Sequence, residues 1–435
     1  MPTPVPNRAN RLLPSLLVVG VAVMATVGLI ALSLAQGWAG SGPAPSPSIS
    51  PLTRADEIDQ ALVQGQLDSM SLRDKVALLT MWNVPGQSAS DVTAFVERVH
   101  PGGLILMGSN VGSDPETVRA LTAGAQTLPR FSTLVAMDEE GGDVVRLPWD
   151  DLPGAHQLSR EDPSSARDVF AQRGALLAEA GVTVNFGVVA DVTDNPSSFI
   201  ASRILGVTPQ AAADRVSEAV RGENPYVAST LKHFPGHGSV SGDSHSSVPV
   251  SDKNLEKWRL TDGQPFSSGI AAGAQLVMMA HISFPAVDSQ PASLSLEWHR
   301  ILRSELGFTG VAVTDDLLML QHSGLPEYAD PLAVARAAVM AGNDLLLYVS
   351  SNPNQLAGYT PESIIDGLVS DVARGEISAK RIDESALRVL TLMRDIKRSQ
   401  YARTTECGRV CPLLNPVTEL SDASVERYLA ARVYP

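Results

Sequence analysis

The amino-acid sequence predicts an α/β protein whose main part is a (β/α)8 barrel. From about residue 71 onward, short β-branched apolar runs alternate with amphipathic helical stretches. This alternation is typical of a parallel sheet whose strands are covered by helices on both faces. Eight such units spread over about 300 residues fall within the usual size range of this barrel. A doubly wound sheet is the structural alternative, because periodicity does not show whether a sheet closes on itself.

The predicted strands are continuous apolar runs, as expected for strands that are buried on both faces. The eight runs are Leu78–Trp82, Gly103–Met107, Thr133–Asp138, Val182–Gly187, Thr230–Phe234, Gln275–His281, Gly310–Asp315 and Asp344–Val349. Helical periodicity lies between most of them, at Asp91–Val99, Pro115–Thr127, Ser164–Ala180, Gln210–Arg221 and Pro331–Ala341. The sequence has no internal repeat and no glycine-rich turn of the dinucleotide-binding or P-loop type.

Charged residues are unevenly distributed along the chain of 435 residues. The whole sequence carries 33 Lys and Arg against 47 Asp and Glu, a net charge of −14. Only Arg8 and Arg11 are charged before Arg54, so the chain after residue 53 holds 31 basic and 47 acidic side chains, or −16. This acidic body argues against nucleic acid as a partner, because phosphates need a basic face. An apolar content of 44% supports a large core and excludes wholesale disorder.

The first 35 residues predict an export segment. Residues 1–11 are a short basic region, and residues 12–35 form an uncharged, mostly apolar run of 24 that can cross a bilayer as a helix. Because the basic residues precede this run, the positive-inside rule places the N-terminus in the cytoplasm and the body outside. The run is either an uncleaved membrane anchor or a signal peptide, for which Ser33-Leu34-Ala35 supplies a cleavage site. Both interpretations predict an exported protein, anchored in the membrane or secreted.

The rest of the chain divides by composition into a linker, a body and a tail. Residues 36–54 are rich in Pro, Ser and Gly, residues 55–398 form the barrel domain, and residues 399–435 are a C-terminal tail. The two cysteines of the chain, Cys407 and Cys411, lie in this tail. In an oxidising compartment they predict a short-loop disulfide. A two-cysteine metal site without a second pair of ligands is the weaker alternative.

Polar residues gather where the predicted strands end. They are Asp138–Gly142 (DEEGG) after the third strand, Asn185 and Asp191 around the fourth, Lys232 and His233 at the fifth, His281 at the sixth, and Asp315 and Asp316 at the seventh. Buried charges are costly unless they are paired, so five successive polar strand ends are difficult to explain as devices for stability. Active sites of (β/α)8 barrels form at the C-terminal ends of the strands. The sequence therefore predicts an active site at this face.

The densest polar cluster is KHFPGHG at residues 232–238, followed by DSH at residues 243–245. The glycines and the proline predict a loop. In an Asp-x-His pair the carboxylate can bind one imidazole nitrogen and aim the other at a reacting atom, as general acid–base catalysis requires. Each histidine can instead be a hydrogen-bonded structural group. A zinc site is a further alternative, although the spacing matches no known metal motif, and its ligands would be His233, His237, Asp243 and His245.

The second candidate feature is the pair Asp315 and Asp316 at the end of the seventh predicted strand. Side chains alternate between the two faces of a strand, so one aspartate is predicted to point into the barrel mouth and the other sideways. The alternation does not say which of the two points inward. A hydrogen-bonded pair that caps the next helix is the alternative, because aspartate is favoured at helix N-termini.

Together these motifs resemble glycoside hydrolase family 3 and, within it, the bacterial β-N-acetylglucosaminidase branch. The resemblance rests on KHFPGHG with DSH and on ELGFTGVAVTDDLLM at residues 305–319. Supporting segments are residues 102–106, 138–142 with Arg146, 185–187 with Asp191, 280–282 and 341–344. The resemblance covers roughly residues 68–398. About 85 residues follow the eighth predicted strand, which favours the branch that has a single catalytic domain.

The resemblance implies a retaining, two-step hydrolysis that uses no metal and no cofactor. Asp315 matches the nucleophile of the family, and His245 matches the acid/base of this branch, with Asp243 as its orienting partner. An imidazole can serve as acid in one step and as base in the next. The positions that bind the terminal sugar and its N-acetyl group are matched by Asp138, Arg146, Arg203, Lys232 and His233.

Two positions and one segment depart from the pattern of the family. Glu139 stands where glutamine is common and Asp143 where arginine is common, so the DEEGG loop is more acidic than usual. The segment around Arg203, residues 201–206, is a weak match. These departures concern fine specificity rather than the reaction.

The sequence thus predicts an exported exo-β-N-acetylglucosaminidase that acts on cell-wall glycans. A phosphorylase that transfers the sugar to phosphate is one alternative, because the same machinery would serve both reactions. A non-catalytic glycan-binding envelope protein is the other, and the intact Asp243, His245 and Asp315 argue against it. An acidic site suits a neutral sugar and a cationic transition state better than it suits phosphate.

Overall fold

The computed structural model describes residues 54–128, 132–240, 242–350 and 356–404. The apolar run at residues 12–35, the linker before residue 54, and both Cys407 and Cys411 lie outside the described residues. The anchor or signal peptide, the linker and the disulfide therefore stay predictions. Among the described residues, none of the helices is both long and apolar enough to cross a membrane.

Eight parallel strands form one sheet within the described part of the chain. They are β1 Thr80–Asn83, β2 Gly103–Leu106, β3 Leu134–Met137, β4 Val184–Val189, β5 Ala228–Phe234, β6 Leu276–Met279, β9 Val311–Thr314 and β10 Leu346–Tyr348. Their order in space is β10-β1-β2-β3-β4-β5-β6-β9. Every residue of these eight strands is buried. Burial on both faces explains the continuous apolar runs of the sequence. The eight predicted strands are confirmed.

The sheet closes on itself, which distinguishes a barrel from an open doubly wound sheet. β1 pairs with β10 in parallel, with Thr80 opposite Leu346. On the other side of β10, Val313 of β9 forms a parallel bridge with Leu345. The backbone N–H of Thr314 donates to the carbonyl of Leu345 at 3.0 Å, which joins the two edges. The prediction of a (β/α)8 barrel is therefore confirmed, and the open-sheet alternative is wrong.

Helices cover the outside of the barrel. They are α1 Arg54–Ser69, α2 Leu72–Leu78, α3 Ala89–Val99, α4 Pro115–Gly124, α5 Ala155–Leu158, α6 Pro163–Glu179, α7 Pro209–Glu223, α8 Leu255–Leu260, α9 Gly263–Ala271, α10 Leu296–Arg300, α11 Leu318–His322, α12 Pro331–Ala341, α13 Pro361–Ala373 and α14 Ala379–Thr404. A two-stranded antiparallel hairpin, β7 Ser283–Phe284 and β8 Asp288–Pro291, follows β6. The last helix runs to Thr404, beyond residue 399, where the sequence places the start of the tail.

The starts of five helices follow from one short sequence pattern. In α4, α6, α7, α12 and α13 the first residue is proline and the residue before it is Asp or Thr. Proline has no N–H to lose at this position, and its fixed φ suits the first helical turn. The preceding side chain accepts a backbone N–H of that turn, for example Asp114 from Thr117 at 3.0 Å. These caps fix where the strand-to-helix loops end.

An aromatic cluster supports the end of β5, from which the predicted catalytic loop departs. Phe234, the last residue of β5, packs edge-to-face against Trp258, Phe266 and Trp298, with ring centroids 5.2–5.8 Å apart. The indole N–H of Trp258 donates to the carbonyl of Pro235 at 2.7 Å. All four aromatic rings are buried. The beginning of the loop is therefore held by a rigid apolar base.

Candidate active site

A cavity of about 270 Å³ opens at the C-terminal ends of the strands. Seven of the eight predicted site residues line it: Asp138, Arg146, Arg203, Lys232, His233, His245 and Asp315. The eighth, Asp243, contacts His245. The cavity is also lined by Asp316 and by residues to which the sequence assigned no role, among them Glu140, Phe199 and Ser244. The structure thus brings together predicted side chains from the ends of four strands, β3, β4, β5 and β9.

Asp315 follows β9 and faces the cavity. Burial would raise the pKa of this carboxyl, but His233, His281 and the backbone N–H of Asp316 hold the pKa below its usual range. That N–H donates to Asp315 Oδ1 at 2.8 Å. Asp315 is therefore a carboxylate at neutral pH, the form that a nucleophile needs.

Asp316, which also lines the cavity, binds backbone N–H groups. Its Oδ1 accepts the N–H of Leu318, the first residue of α11, at 3.1 Å and the N–H of Val349 at 3.0 Å. Burial, together with the charge of Asp315, raises the pKa of Asp316 to about 7. The two carboxyl groups therefore have different partners, although both residues line the cavity. The first N–H of α11 is thus held by Asp316, while the N-cap position itself is occupied by Leu317, which gives no side-chain cap.

The Asp-x-His pair lies at the exposed rim of the cavity. His245 Nδ1 is 2.6 Å from Asp243 Oδ1, and the backbone N–H of His245 donates to the same oxygen at 3.0 Å. The side chains are 66% and 50% exposed, respectively. Partial burial would raise the pKa of Asp243, but these two hydrogen bonds from His245 lower it. Because the carboxylate accepts from Nδ1, the Nε2 of His245 is the ring nitrogen available to a substrate.

Glu140 joins two cations on the cavity wall. Its Oε1 lies 2.6 Å from Lys232 Nζ. Arg203 binds the same carboxylate with two nitrogens, at 2.8 and 2.6 Å. Burial opposes the charge of Glu140, but Lys232 and Arg203 lower its pKa to about 2. Arg203, whose segment matches the family pattern weakly, thus lies in the cavity together with the other predicted residues.

Asp138 forms the second acidic group of this wall. Its Oδ1 is 2.9 Å from Lys232 Nζ, and its Oδ2 is 3.8 Å from Arg146 Nη2. The carboxylates of Asp138 and Glu140 raise the pKa of Lys232, although burial acts against them. Each cation of the cavity is therefore paired with a carboxylate, and the wall offers alternating donors and acceptors.

Asp191 orients His233, which the sequence predicts to bind the sugar. Its Oδ2 lies 2.7 Å from His233 Nδ1, and its Oδ1 accepts the backbone N–H of His237 at 2.5 Å. Burial would raise the pKa of Asp191, but the positive potential of His233 and its hydrogen bond lower it. Because Nδ1 donates to this carboxylate, Nε2 of His233 points away from it, toward the cavity that His233 lines.

The two acidic departures from the family pattern lie outside the cavity lining. Glu139 is fully buried, and its Oε2 accepts the backbone N–H groups of Arg146 at 2.7 Å and Leu147 at 3.0 Å. Burial, with a smaller contribution from the neighbouring Asp150, raises the pKa of Glu139 to about 8, although the two backbone N–H groups act against this shift. Asp143 is exposed and accepts a hydrogen bond from Ser202 Oγ at 2.5 Å. Glu139 thus holds the backbone from which Arg146 projects.

The set considered for zinc is divided among three separate hydrogen-bonded pairs. His233 binds Asp191, Asp243 binds His245, and His237 Nε2 lies 2.9 Å from Ser244 Oγ. Within the described part of the chain, groups of three or more His, Cys, Asp or Glu side chains placed to hold a metal ion are absent.

The cavity at the C-terminal face of this (β/α)8 barrel holds an ionised carboxylate, an imidazole–carboxylate pair and a wall of paired charges. This combination is typical of a carbohydrate-processing enzyme. The family model described as "Glycosyl hydrolase family 3 N terminal domain" matches residues 71–392. The chain belongs to glycosyl hydrolase family 3, and the protein is a glycoside hydrolase.

Individual relatives agree with this family. A protein of Nitrosospira multiformis named Beta-hexosaminidase is 36% identical over 267 residues, which are 58% of this chain and 75% of the relative. A protein of the same name from Stenotrophomonas maltophilia is 32% identical over 333 residues, 68% of this chain and 97% of the relative. Among solved structures, a family 3 β-N-acetylglucosaminidase from a Paenibacillus species is similar with a TM-score of 0.70 and 33% identity, covering 83% of this chain and 68% of that one.

Proposed function

We propose that the protein is a retaining exo-β-N-acetylglucosaminidase that removes terminal β-linked N-acetylglucosamine from glycans derived from the cell wall. The observation that carries the proposal is that Asp315, an ionised carboxylate, and His245, which is bound to Asp243, line one sugar-sized cavity. The names of the relatives support the choice of an N-acetylhexosamine as the sugar.

In the first step an oxygen of Asp315 forms a bond to the anomeric carbon, and the bond from that carbon to the leaving oxygen breaks. His245 transfers its Nε2 proton to the leaving oxygen, so that the aglycone departs as a neutral alcohol. The carboxylate of Asp243 stabilises the positive charge that His245 carries before this transfer. The product of this step is a glycosyl ester of Asp315 and a neutral His245.

In the second step His245 acts as a base. Its neutral Nε2 accepts a proton from water, whose oxygen attacks the anomeric carbon while the bond to Asp315 breaks. The two displacements together retain the anomeric configuration. The exposed position of His245 gives water access to this face.

The sugar is held by the charged wall and by His233. The carboxylate of Asp138 accepts from sugar hydroxyls, while the guanidinium groups of Arg146 and Arg203 and the ammonium of Lys232 donate to sugar hydroxyls and to the N-acetyl carbonyl. Each of these cations is already paired with a carboxylate. This pairing favours a neutral sugar over phosphate, and hence hydrolysis over phosphorolysis.

A panel of aryl glycosides tests the proposal. We expect hydrolysis of the β-N-acetylglucosaminide and slower hydrolysis of the glucoside and the N-acetylgalactosaminide, with the β-anomer as the first product seen by NMR. Added phosphate should yield no sugar 1-phosphate. Asp315→Ala should abolish chromophore release although the variant folds, as checked by thermal unfolding. Rates like those of the unmodified enzyme in this variant would exclude the mechanism, and a sugar 1-phosphate would show a phosphorylase.

We also propose that the enzyme works outside the cell membrane, because the basic and apolar leader precedes an acidic body. Fractionation of cells that express the full chain separates the two forms of export. Activity in the membrane fraction indicates an anchor, and activity in the medium indicates a cleaved signal peptide. Activity confined to the cytosol would contradict both.

A further inference from the structure

The loop that carries the Asp243–His245 pair has a single buried residue. Within residues 242–248, all of which the structure describes, Ser244 is 3% exposed, while its neighbours Asp243 and His245 are both exposed. The hydrogen bonds that these seven residues make to other described residues stay inside the loop, with one exception. That exception joins Ser244 Oγ to Nε2 of His237 at 2.9 Å.

His237 is itself fixed by its surroundings. It is 1% exposed, and its ring packs edge-on against Phe199 with the centroids 4.5 Å apart. Its backbone N–H is held by Asp191, the carboxylate that also orients His233. Burial lowers the pKa of His237 to about 4, so its ring is neutral under ordinary conditions and bonds Ser244 as a neutral group.

We propose that His237 and Ser244 are positioning residues, and that their hydrogen bond holds the exposed Asp243–His245 pair at the distance from the cavity that proton transfer needs. This inference rests on the proposed function of His245. Asp243 and His245 lie on either side of Ser244 in the chain, so a displacement of Ser244 moves both of them. Asp191 binds both His233 and His237. The same carboxylate therefore fixes the position of the sugar-binding histidine, His233, and of His237, which anchors the loop of the acid/base.

The test uses the dependence of the rate on the leaving group. A sugar alcohol, the leaving group of N,N′-diacetylchitobiose, needs a proton from the acid in order to depart. A nitrophenolate departs largely without this proton, so its release depends much less on the acid. We expect Ser244→Ala to lower kcat/KM for the disaccharide about 10-fold more than kcat/KM for the nitrophenyl β-N-acetylglucosaminide, because small displacements of a catalytic group have effects of this order. The matched control is Ser246→Ala in the same loop. Ser246 is exposed, and its hydroxyl makes no hydrogen bond to the described residues, so both rates should stay unchanged.

A second pair of variants guards against misfolding of Ser244→Ala. His237→Phe keeps a buried ring against Phe199 but loses the nitrogen, and it should show the same selective loss. His237→Gln places an amide nitrogen near the position of Nε2 and should restore the rate on the disaccharide. Equal losses on both substrates in Ser244→Ala and His237→Phe, or the absence of any loss, would overturn the inference.

His245→Ala separates this inference from the proposed function. It should show the same selectivity as Ser244→Ala, but more strongly. A selective loss in His245→Ala together with none in Ser244→Ala and His237→Phe would refute the anchor and leave the function intact. An equal loss on both substrates in His245→Ala would refute the assignment of the acid/base, and with it the inference.

Discussion

Lys232 Nζ lies 2.6 Å from Glu140 Oε1, and both side chains are only 3% exposed. Arg203 approaches the same carboxylate, so one anion holds two cations that would otherwise repel each other inside the cavity. Glu140 thereby fixes two groups that we assign to sugar binding.

Glu140→Gln should therefore weaken both stability and activity. The substitution keeps the size of the side chain but leaves two buried cations without their shared anion. Breaking a buried ion pair in this way costs about 3–5 kcal/mol of unfolding free energy. We expect a loss of this size in urea unfolding, and a fall in kcat/KM on the order of 100-fold on the aryl N-acetylglucosaminide.

A surface pair provides the control for Glu140→Gln. Glu297 binds Arg300 with two contacts of 2.8 and 2.6 Å, a geometry similar to that of Glu140 and Arg203, but this pair is exposed. Glu297→Gln should cost less than about 1 kcal/mol and leave the activity unchanged. Similar losses in the two variants would show that burial of Glu140 is not the cause.

Glu139→Gln should make stability less dependent on pH. Burial raises the pKa of Glu139 to about 8 in the folded protein, whereas an unfolded glutamate titrates near 4.5. Between these values the folded state binds more protons than the unfolded state, so the free energy of unfolding falls as the pH rises from about 4.5 to 8. Glutamine cannot ionise and keeps an oxygen for the N–H groups of Arg146 and Leu147.

Urea unfolding at pH 5, 7 and 8.5 measures this difference. The unmodified protein should lose more stability over the range than Glu139→Gln does. The slope should be reduced rather than abolished, because burial also raises the pKa of Glu223 to about 8. Identical slopes in the two proteins would contradict the raised pKa of Glu139.

The sequence was sufficient for the barrel because its strands are buried on both faces. Continuous apolar runs such as residues 276–279 and 311–314 are difficult to place elsewhere, and all eight predicted runs became strands. The hairpin β7–β8 was missed because it is short and because β8 reads Asp-Ser-Gln-Pro, which has no apolar alternation. Closure of the sheet could not be predicted from the sequence either, because it depends on the pairing between β9 and the chain at the start of β10 and not on a local pattern.

The residues that react or bind directly were easier to predict than those that support them. Asp315 and His245 follow recognisable motifs at strand ends, and both line the cavity. Glu140 and Ser244 acquire their roles from partners, of which Arg203 is 63 residues away along the chain from Glu140. Spacing carries no information about the Glu140–Arg203 pair, because the packing of the neighbouring strands β3 and β4 brings the two residues together. His237 and Ser244 lie seven residues apart in one loop, but nothing in the loop sequence shows that they are hydrogen-bonded. The acidic DEEGG run was the only available signal for Glu140.

The pair Cys407 and Cys411 should titrate as a disulfide in protein recovered from an oxidising compartment, since two cysteines close in sequence on an exported body favour a short bridge. Thiol titration of the denatured, unreduced protein should find no free thiol, and the reduced protein should show two. Two thiols before reduction would reject the bridge. The same protein made in a reducing cytosol serves as the comparison.

Asp243→Asn should separate orientation of His245 from stabilisation of its charge. The amide oxygen can still accept from the backbone N–H and from Nδ1 of His245, both of which now contact Asp243 Oδ1. The amide carries no charge, however, and it cannot stabilise the imidazolium that must exist before the leaving oxygen is protonated. We expect kcat for N,N′-diacetylchitobiose to fall on the order of 100-fold, with a smaller fall for the nitrophenyl glycoside.

Asp252→Asn, at an exposed aspartate further along the same connection, should leave both rates unchanged. If Asp243→Asn slows both substrates equally, the carboxylate acts on the shape of the loop and not on the charge of His245.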